Sequence, residues 1–245
     1  MHLVFVGAHP DDETFVGGTI AKYTNHGHKA TIVSATRGGR GHWKIPSDEL
    51  ERVRTEEMKG AAAILGADVV FLDYKDAEIP ADDRLTMDLV DVVRRLKPDI
   101  VITFHPLVWR DDHRRVGQAT ADACFRASLP LVETRHPYHR PAPQVYFIGE
   151  PFVYSFSETM IPVESDVYID ITEYMDVKIE ALKQHRSQWV KWEIDEGDST
   201  SSLDDIIERT IHHARQLGMG SGVNYAEAFI SQARKRRALD FLPAR

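Results

Sequence analysis

Hydrophobic and polar positions along this chain follow two rhythms that take turns. Leu3-Val4-Phe5-Val6-Gly7 is a short, unbroken apolar run, and Lys29 to Ala35, Asp68 to Asp73 and Ile100 to Phe104 read as three further short strands. Runs of this length without polar alternation suit strands buried on both faces, as in a parallel sheet. Between them lie helical rhythms. Residues 14–26 read as a helix entered through Gly17-Gly18, and Ser47-Asp48-Glu49 opens another that Gly66 stops. Leu85, Leu89, Val92, Val93 and Leu96 carry helical spacing from Asp82 to Leu96, ending before Pro98. A further helix is expected from about His113 to Ala127. Strand and helix in strict turn imply βαβ units and an α/β fold with a parallel sheet.

The second half is less regular. Gln144 to Ile148 and Val167 to Ile171 read as strands, separated by a Pro- and aromatic-rich stretch. Glu173 to Gln188, Leu203 to Gln216 and Tyr225 to Ala238 read as helices. Trp189 to Ser202, acidic and polar, is expected to be a mobile loop or lid, and the aromatics from Tyr146 to Phe156 are expected to shape a binding site. With no repeat, low-complexity tract or linker, one domain over 1–245 is expected: a βαβ core over 1–130 and a remainder, 131–245, that completes the site.

Composition narrows the function. A hydrophobic share of 42% with 28% charged residues is that of an ordinary globular protein. A net charge of -8 argues against binding nucleic acid by phosphate neutralisation, and the one basic cluster, Arg234 to Arg237, reads as a solvated helix face. The single Cys124 excludes an intrachain disulfide and a cysteine zinc site, and its apolar neighbours make it a packing residue. No apolar run has the length of a membrane span, and the N-terminus lacks a signal-peptide pattern, so a cytoplasmic location is expected.

The chemistry gathers at two strand ends. The first strand runs straight into Ala8-His9-Pro10-Asp11-Asp12-Glu13; the fourth ends in Phe104-His105-Pro106, followed by Trp109-Arg110-Asp111-Asp112-His113 at the head of a helix. Ends of parallel strands share one edge of the sheet, where ligands bind in open α/β folds. His9, Asp12 and His113 are candidate ligands for a catalytic zinc, three donors with a position left for water. Asp11, beside a ligand, is the candidate base for that water. The competing reading of Asp112 is a helix N-cap.

Ala8 to Glu13 resembles the signature of the LmbE-like, or PIG-L, family of zinc-dependent N-deacetylases. The likeness continues through Thr36-Arg37-Gly38, Arg54-Thr55-Glu56-Glu57, Asp73 to Pro80 and Asp112 to Gly117. His185-Arg186-Ser187-Gln188 and Tyr225 to Phe229 are similar to the branch containing diacetylchitobiose deacetylases. The resemblance implies a Rossmann-like three-layer sandwich with a mostly parallel central sheet and a C-terminal helical extension. It implies one Zn2+ per subunit on His9, Asp12 and His113, with Asp11 as general base. It implies hydrolysis of an acetyl group from an N-acetylated amino sugar, and a homo-oligomer, a trimer or hexamer. By the same resemblance Arg37, Arg54 and Asp76 fall at substrate-binding positions. Their competing readings are a flexible loop for Arg37, an ion pair with Glu57 for Arg54, and a turn for Asp76.

One departure stands out. The family pattern His-Pro-Asp-His is Arg110-Asp111-Asp112-His113 here, so the first histidine is replaced by Arg110. Arginine can stabilise an oxyanion but does not give up a proton near neutral pH. Three outcomes follow: His105 supplies the acid, Asp11 shuttles the proton alone, or catalysis is weak and the chain is a sugar-binding relative. A magnesium phosphohydrolase is disfavoured by the two imidazoles, and a dinucleotide-binding dehydrogenase by the absence of a G-x-G-x-x-G turn.

Overall fold

A computed structural model of the chain describes residues 1–149, 152–154, 160–162, 164–188 and 202–232. The four apolar runs form β1 (His2–Gly7), β2 (Lys29–Thr36), β3 (Asp68–Tyr74) and β4 (Ile100–Thr103), with β5 at Gln144–Ile148. They lie in the order β3-β2-β1-β4-β5, all parallel. From β1 the chain winds outward through β2 and β3, then returns to place β4 on the other side of β1. That reversal opens a crevice beyond the carboxyl ends of β1 and β4, where open α/β sheets bind ligands.

Helices cover both faces. Alternate residues of β1 serve two cores: Leu3 and Phe5 pack with α1 (Gly17–Asn25), α2 (Ser47–Leu65), α5 (Met175–Leu182) and α6 (Leu203–Ser221). Val4 and Val6 pack with α3 (Asp83–Leu96) and α4 (Asp111–Arg126). The three-layer, mostly parallel α/β architecture is therefore as expected. A separate pair, β6 (Phe152–Tyr154) and β7 (Met160–Pro162), is antiparallel. No helix among the described residues is long and apolar enough to cross a membrane.

The C-terminal third departs from expectation. Tyr225 to Ala238 does not open a helix: Ala226–Ser231 is β9, fully buried, lying antiparallel between β5 and β8 (Val167–Asp170). A short apolar run is ambiguous between strand and buried helix, and here tertiary burial decides. Within this strand Glu227 accepts hydrogen bonds from Gly18 N (2.9 Å) and Thr19 N (2.8 Å) at the start of α1, and an ion pair from Lys178. A carboxylate from a distant strand thus satisfies the orphan amides of a helix N-terminus. Gly18 permits the approach, because a Cβ there would lie 2.8 Å from Ile171. The helix expected over 173–188 is also shorter: a 3-10 turn (Thr172–Tyr174), α5, then a second 3-10 turn (Arg186–Gln188). The proposed lid lies outside the described residues except Ser202, which caps α6 through Asp205. Arg234 to Arg237 and the aromatic stretch beyond Tyr154 up to Phe156 also lie outside them.

Arg94 of α3 is buried at 2% exposure, and its guanidinium donates to the carbonyls of Ala127, Leu129, Val132 and His136 and to Thr134 Oγ1. One cation thereby ties down the segment leading into β5. Arg94→Leu would strand several buried carbonyls and is expected to cost about 3 kcal/mol or more, read by urea denaturation; a loss below about 0.5 kcal/mol would refute this role. Cys124 is buried in the second core, and burial pushes its thiol up to about 12. A thiol reagent at pH 8 is expected to label it only after denaturation; stoichiometric labelling of native protein would contradict that.

Candidate active site

The crevice between β1 and β4 is built from four loops. Beyond β1 the chain turns through Pro10 and Asp11 into a 3-10 helix, Asp12–Val16. Asp12 folds back on this turn: its Oδ2 accepts Ala8 N at 2.7 Å and His9 N at 2.8 Å. Its other oxygen lies 3.2 Å from His113 Nε2, which lies 3.3 Å from His9 Nδ1. Donor atoms of His9, Asp12 and His113 all fall within 4.8 Å of one another, and all three residues are buried. The structure thus brings the three expected ligands together. Burial alone would raise the Asp12 pKa, but the charge and hydrogen bond of His113, joined by His9, hold it well below the usual carboxylate range.

His113 is aimed by packing. Phe104, fully buried at the end of β4, stacks on its ring with centroids 3.8 Å apart and planes 10° apart. Gly117, one turn along α4, lets the helix close on the strand: a Cβ there would stand 2.3 Å from Phe104 O.

His9 faces two ways. Its Nε2 lies 3.1 Å from Asp112 Oδ2 and 3.2 Å from Asp76 Oδ1. Those carboxylates are themselves anchored, Asp112 by Ala77 N (3.0 Å) and Asp76 by Arg40 N (2.9 Å). Burial would lower the His9 pKa, but Asp112, Asp76 and the charge of Asp12 outweigh it and raise it to about 10. His9, Asp76 and Asp112 form a second cluster of possible metal donors. The chemistry favours the first. Nε2 shared between two carboxylates keeps a proton there, which leaves the Nδ1 lone pair for a cation beside Asp12 and His113. Two imidazoles with one carboxylate suit zinc better than magnesium. The donor set therefore fits the expected metal. Asp112 lies inside α4, with Arg110 preceding the helix, so its side chain supports His9 and does not cap the helix.

Asp11 is half-buried and holds a rare backbone, φ 131° and ψ −19°. For a non-glycine residue this costs on the order of 1–3 kcal/mol, which the surroundings must sustain. Burial first, then the charge of Asp12, pushes the Asp11 pKa up to about 6, against the pull of His185 and His9.

The other expected site residues take varied positions. Arg37 pairs with Asp73 at 2.5 Å, donates to Thr55 Oγ1 and lies over the Phe71 ring. Arg54 is 2% exposed and donates to the carbonyls of Gly38 and Gly41 and to Gln188 Oε1, so it braces the glycine-rich loop from beneath. Gly38 suits that loop, with φ at 67°. His105 Nδ1 accepts Leu107 N at 3.2 Å, and its ring meets Phe147 edge-on. Arg110 is exposed at the head of α4, and its charge is felt at Arg54. Sequence reasoning assigned no role to His185, Ser187 and Gln188, although they stand in a quoted motif. His185 is fully buried and bonds Glu13 Oε1 through Nε2. Burial would lower its pKa, but the Glu13 charge and hydrogen bond raise it to about 8.

Comparison with known proteins identifies the family. The PIG-L family, described as GlcNAc-PI de-N-acetylase, matches residues 4–124. The chain is 30% identical over 203 residues to diacetylchitobiose deacetylase of Thermococcus kodakarensis, covering 76% of this chain and 71% of the relative. Its fold matches N,N'-diacetylchitobiose deacetylase from Pyrococcus horikoshii with a TM-score of 0.77 at 24% identity, over 94% of this chain and 83% of the other. It also matches 4-carboxy-2-hydroxymuconate hydratase from Pseudomonas putida with a TM-score of 0.78 at 24% identity, over 99% of each chain. The crevice at β1 and β4 and the motifs around it make this chain a member of the PIG-L family.

Proposed function

We propose that the protein is a zinc-dependent hydrolase that removes an acetyl group from an N-acetylated amino sugar. The observation that carries this reading is the convergence of His9, Asp12 and His113 on one point with Asp11 beside them. Its support is the likeness to a diacetylchitobiose deacetylase over most of the chain. The fold does not choose the reaction, since a hydratase shares it. The metal, when bound, supplies Lewis acidity toward the acetamide carbonyl and toward water.

Asp11 receives a proton as water attacks and returns it to the departing amine. Burial pushes the Asp11 carboxyl upward, which suits it to hold and return a proton near neutral pH. In this reading the relay runs through Asp11 alone, while His105 Nδ1 accepts Leu107 N and its ring lies edge-on to Phe147. Arg110, at the head of α4, supplies positive charge toward the tetrahedral oxyanion, a contribution that commonly dominates acyl-transfer catalysis. Asp76 and Asp112 hold the His9 ring, and Arg54 and Arg37 hold the loops that border the sugar.

Acetate release from a panel including N-acetylglucosamine and diacetylchitobiose tests the reading. Asp11→Asn is expected to lower kcat by about 10²–10⁴-fold, while His105→Ala stays within about threefold of wild type because the proton passes through Asp11. Sugar binding without acetate release across the panel would overturn the deacetylase assignment; a hundredfold drop in His105→Ala would move the acid role to that residue.

Metal dependence is tested separately. Elemental analysis is expected to find one zinc per chain, and chelation to abolish activity that added zinc restores. Asp112→Asn should weaken zinc affinity by roughly 10–100-fold, because it loosens the far nitrogen of a ligand. Full activity after exhaustive chelation would sink the metal assignment.

A further inference from the structure

The Asp11 backbone is strained, and it is restrained by its own turn, which a distant segment holds in place. Locally, Asp11 O accepts Thr14 N at 3.0 Å and Thr14 Oγ1 at 2.6 Å, and Asp11 N donates to Glu13 Oε2 at 3.2 Å. The remaining contacts come from residues 185–188, more than 170 positions away. His185 Nε2 engages the other Glu13 oxygen, and Gln188 Nε2 donates to Pro10 O at 3.2 Å. The segment is itself fixed to α2. Ser187 donates from N (2.7 Å) and Oγ (2.6 Å) to Glu57, and Arg54 donates to Gln188 Oε1 at 2.8 Å.

Packing does not explain this arrangement. Glu13 and His185 are both fully buried, and His185 Nδ1 has no hydrogen-bond partner among the described residues. A buried ionisable pair with an orphaned nitrogen is a poor source of stability compared with apolar side chains of similar volume. Strained backbone persists only where the surroundings over-determine it, and it clusters at functional sites. Here both peptide groups flanking the strained residue are engaged. Pro10 O is held by Gln188, Asp11 N by Glu13, and Asp11 O by Thr14.

We propose that His185, Glu13 and Gln188 form a clamp that holds Asp11 at positive φ and so sets the direction of its carboxylate toward the His9–Asp12–His113 cluster. These are positioning residues, acting through Asp11. The Glu13 carboxylate is the hinge of the device: one oxygen meets the Asp11 amide and the other meets His185. The His-Arg-Ser-Gln motif is thereby given a role, since the chain leaves α5 early and turns so that His185, Ser187 and Gln188 all reach the β1 and α2 loops. The kinetic consequence rests on Asp11 being the base; the backbone consequence does not.

The test combines crystal structures, zinc content and acetate-release kinetics of Gln188→Ala, Glu13→Ala and Glu13→Gln. Arg94→Leu serves as a control that loses stability at a distance. In both alanine variants Asp11 is expected to relax to negative φ. Their kcat is expected to fall roughly 10- to 100-fold, the scale of a misplaced catalytic group, with zinc content unchanged. KM should stay within about twofold, because substrate binding is not what is lost. Glu13→Gln retains an acceptor for the Asp11 amide and should keep positive φ and most of kcat, as should the control. Asp11 remaining at positive φ in both alanine variants would overturn the clamp, as would relaxed φ with undiminished kcat. If Glu13→Ala does not fold, Gln188→Ala decides alone. If wild type releases no acetate from any sugar, the deacetylase reading falls, and the Asp11 backbone in the variant structures still decides the clamp.

Discussion

The two nitrogens of His9 have opposite duties, and the architecture of the site follows from keeping them apart. Nε2 meets Asp76 and Asp112; Nδ1 points to Asp12 and His113. For that to happen one imidazole must be reached from the loops after β1, β3 and β4 together. Only a strand flanked on both sides can deliver it, and β1, with β2 and β4 as its neighbours, is such a strand. The reversal of strand order is therefore the geometric condition for a ring with a cation face and a carboxylate face. Asp76 and Asp112 draw their remaining hydrogen bonds from the backbone of Arg40 and Ala77, which ties the ring orientation to the loops of β2 and β3.

The C-terminal segments complete what the central strands begin. Glu227 of β9 closes the N-terminus of α1, the helix that follows the Asp12 turn, and Lys178 of α5 meets both Glu227 and the carbonyl of Phe15. The turn carrying the candidate ligand and base is thus pinned at its far end by a buried ion pair and at its near end by residues 185–188. Breaking one partner of such a pair costs more than the pair contributes, because an uncompensated charge is left buried. The site loop is consequently held by interactions that are sensitive to substitution far from the metal cluster.

How much of this was legible in the sequence depended on the distance between partners. β1, β2 and β4 announce themselves because both faces are buried, so most of their positions are apolar. His9, Asp12 and His113 were legible because each stands just beyond a strand that shares an edge with the others. β9 was not: Tyr-Ala-Glu-Ala-Phe contains good helix formers, and Glu227 is acceptable inside a strand only through Lys178 and the amides of α1. Asp112 looked like a helix cap because its partner, His9, lies 103 positions away. Arg54 offered a nearby Glu57 for pairing, yet its guanidinium is spent on the carbonyls of a loop that only the fold brings within reach. Local pattern fixes elements; the roles of buried polar residues are settled by partners that local pattern does not contain.

The electrostatics of the crevice suit it to hold a cation. Asp11, Asp12, Asp76 and Asp112 crowd around His9, and each added carboxylate makes the next harder to ionise. His9 answers by holding a proton, and Asp11 by an upward pKa shift. His9, Asp12 and His113 would hold a divalent ion in place of that proton, and its charge would favour ionised carboxylates around it. In this setting Arg110 differs from the histidine of the family pattern in one respect that matters: its charge is permanent. A histidine at the head of α4 would add a titrating group to an already crowded cluster, whereas arginine adds a fixed positive charge. On the proposed function, proton transfer is then left to Asp11, and catalysis would depend on how firmly that one carboxylate is aimed.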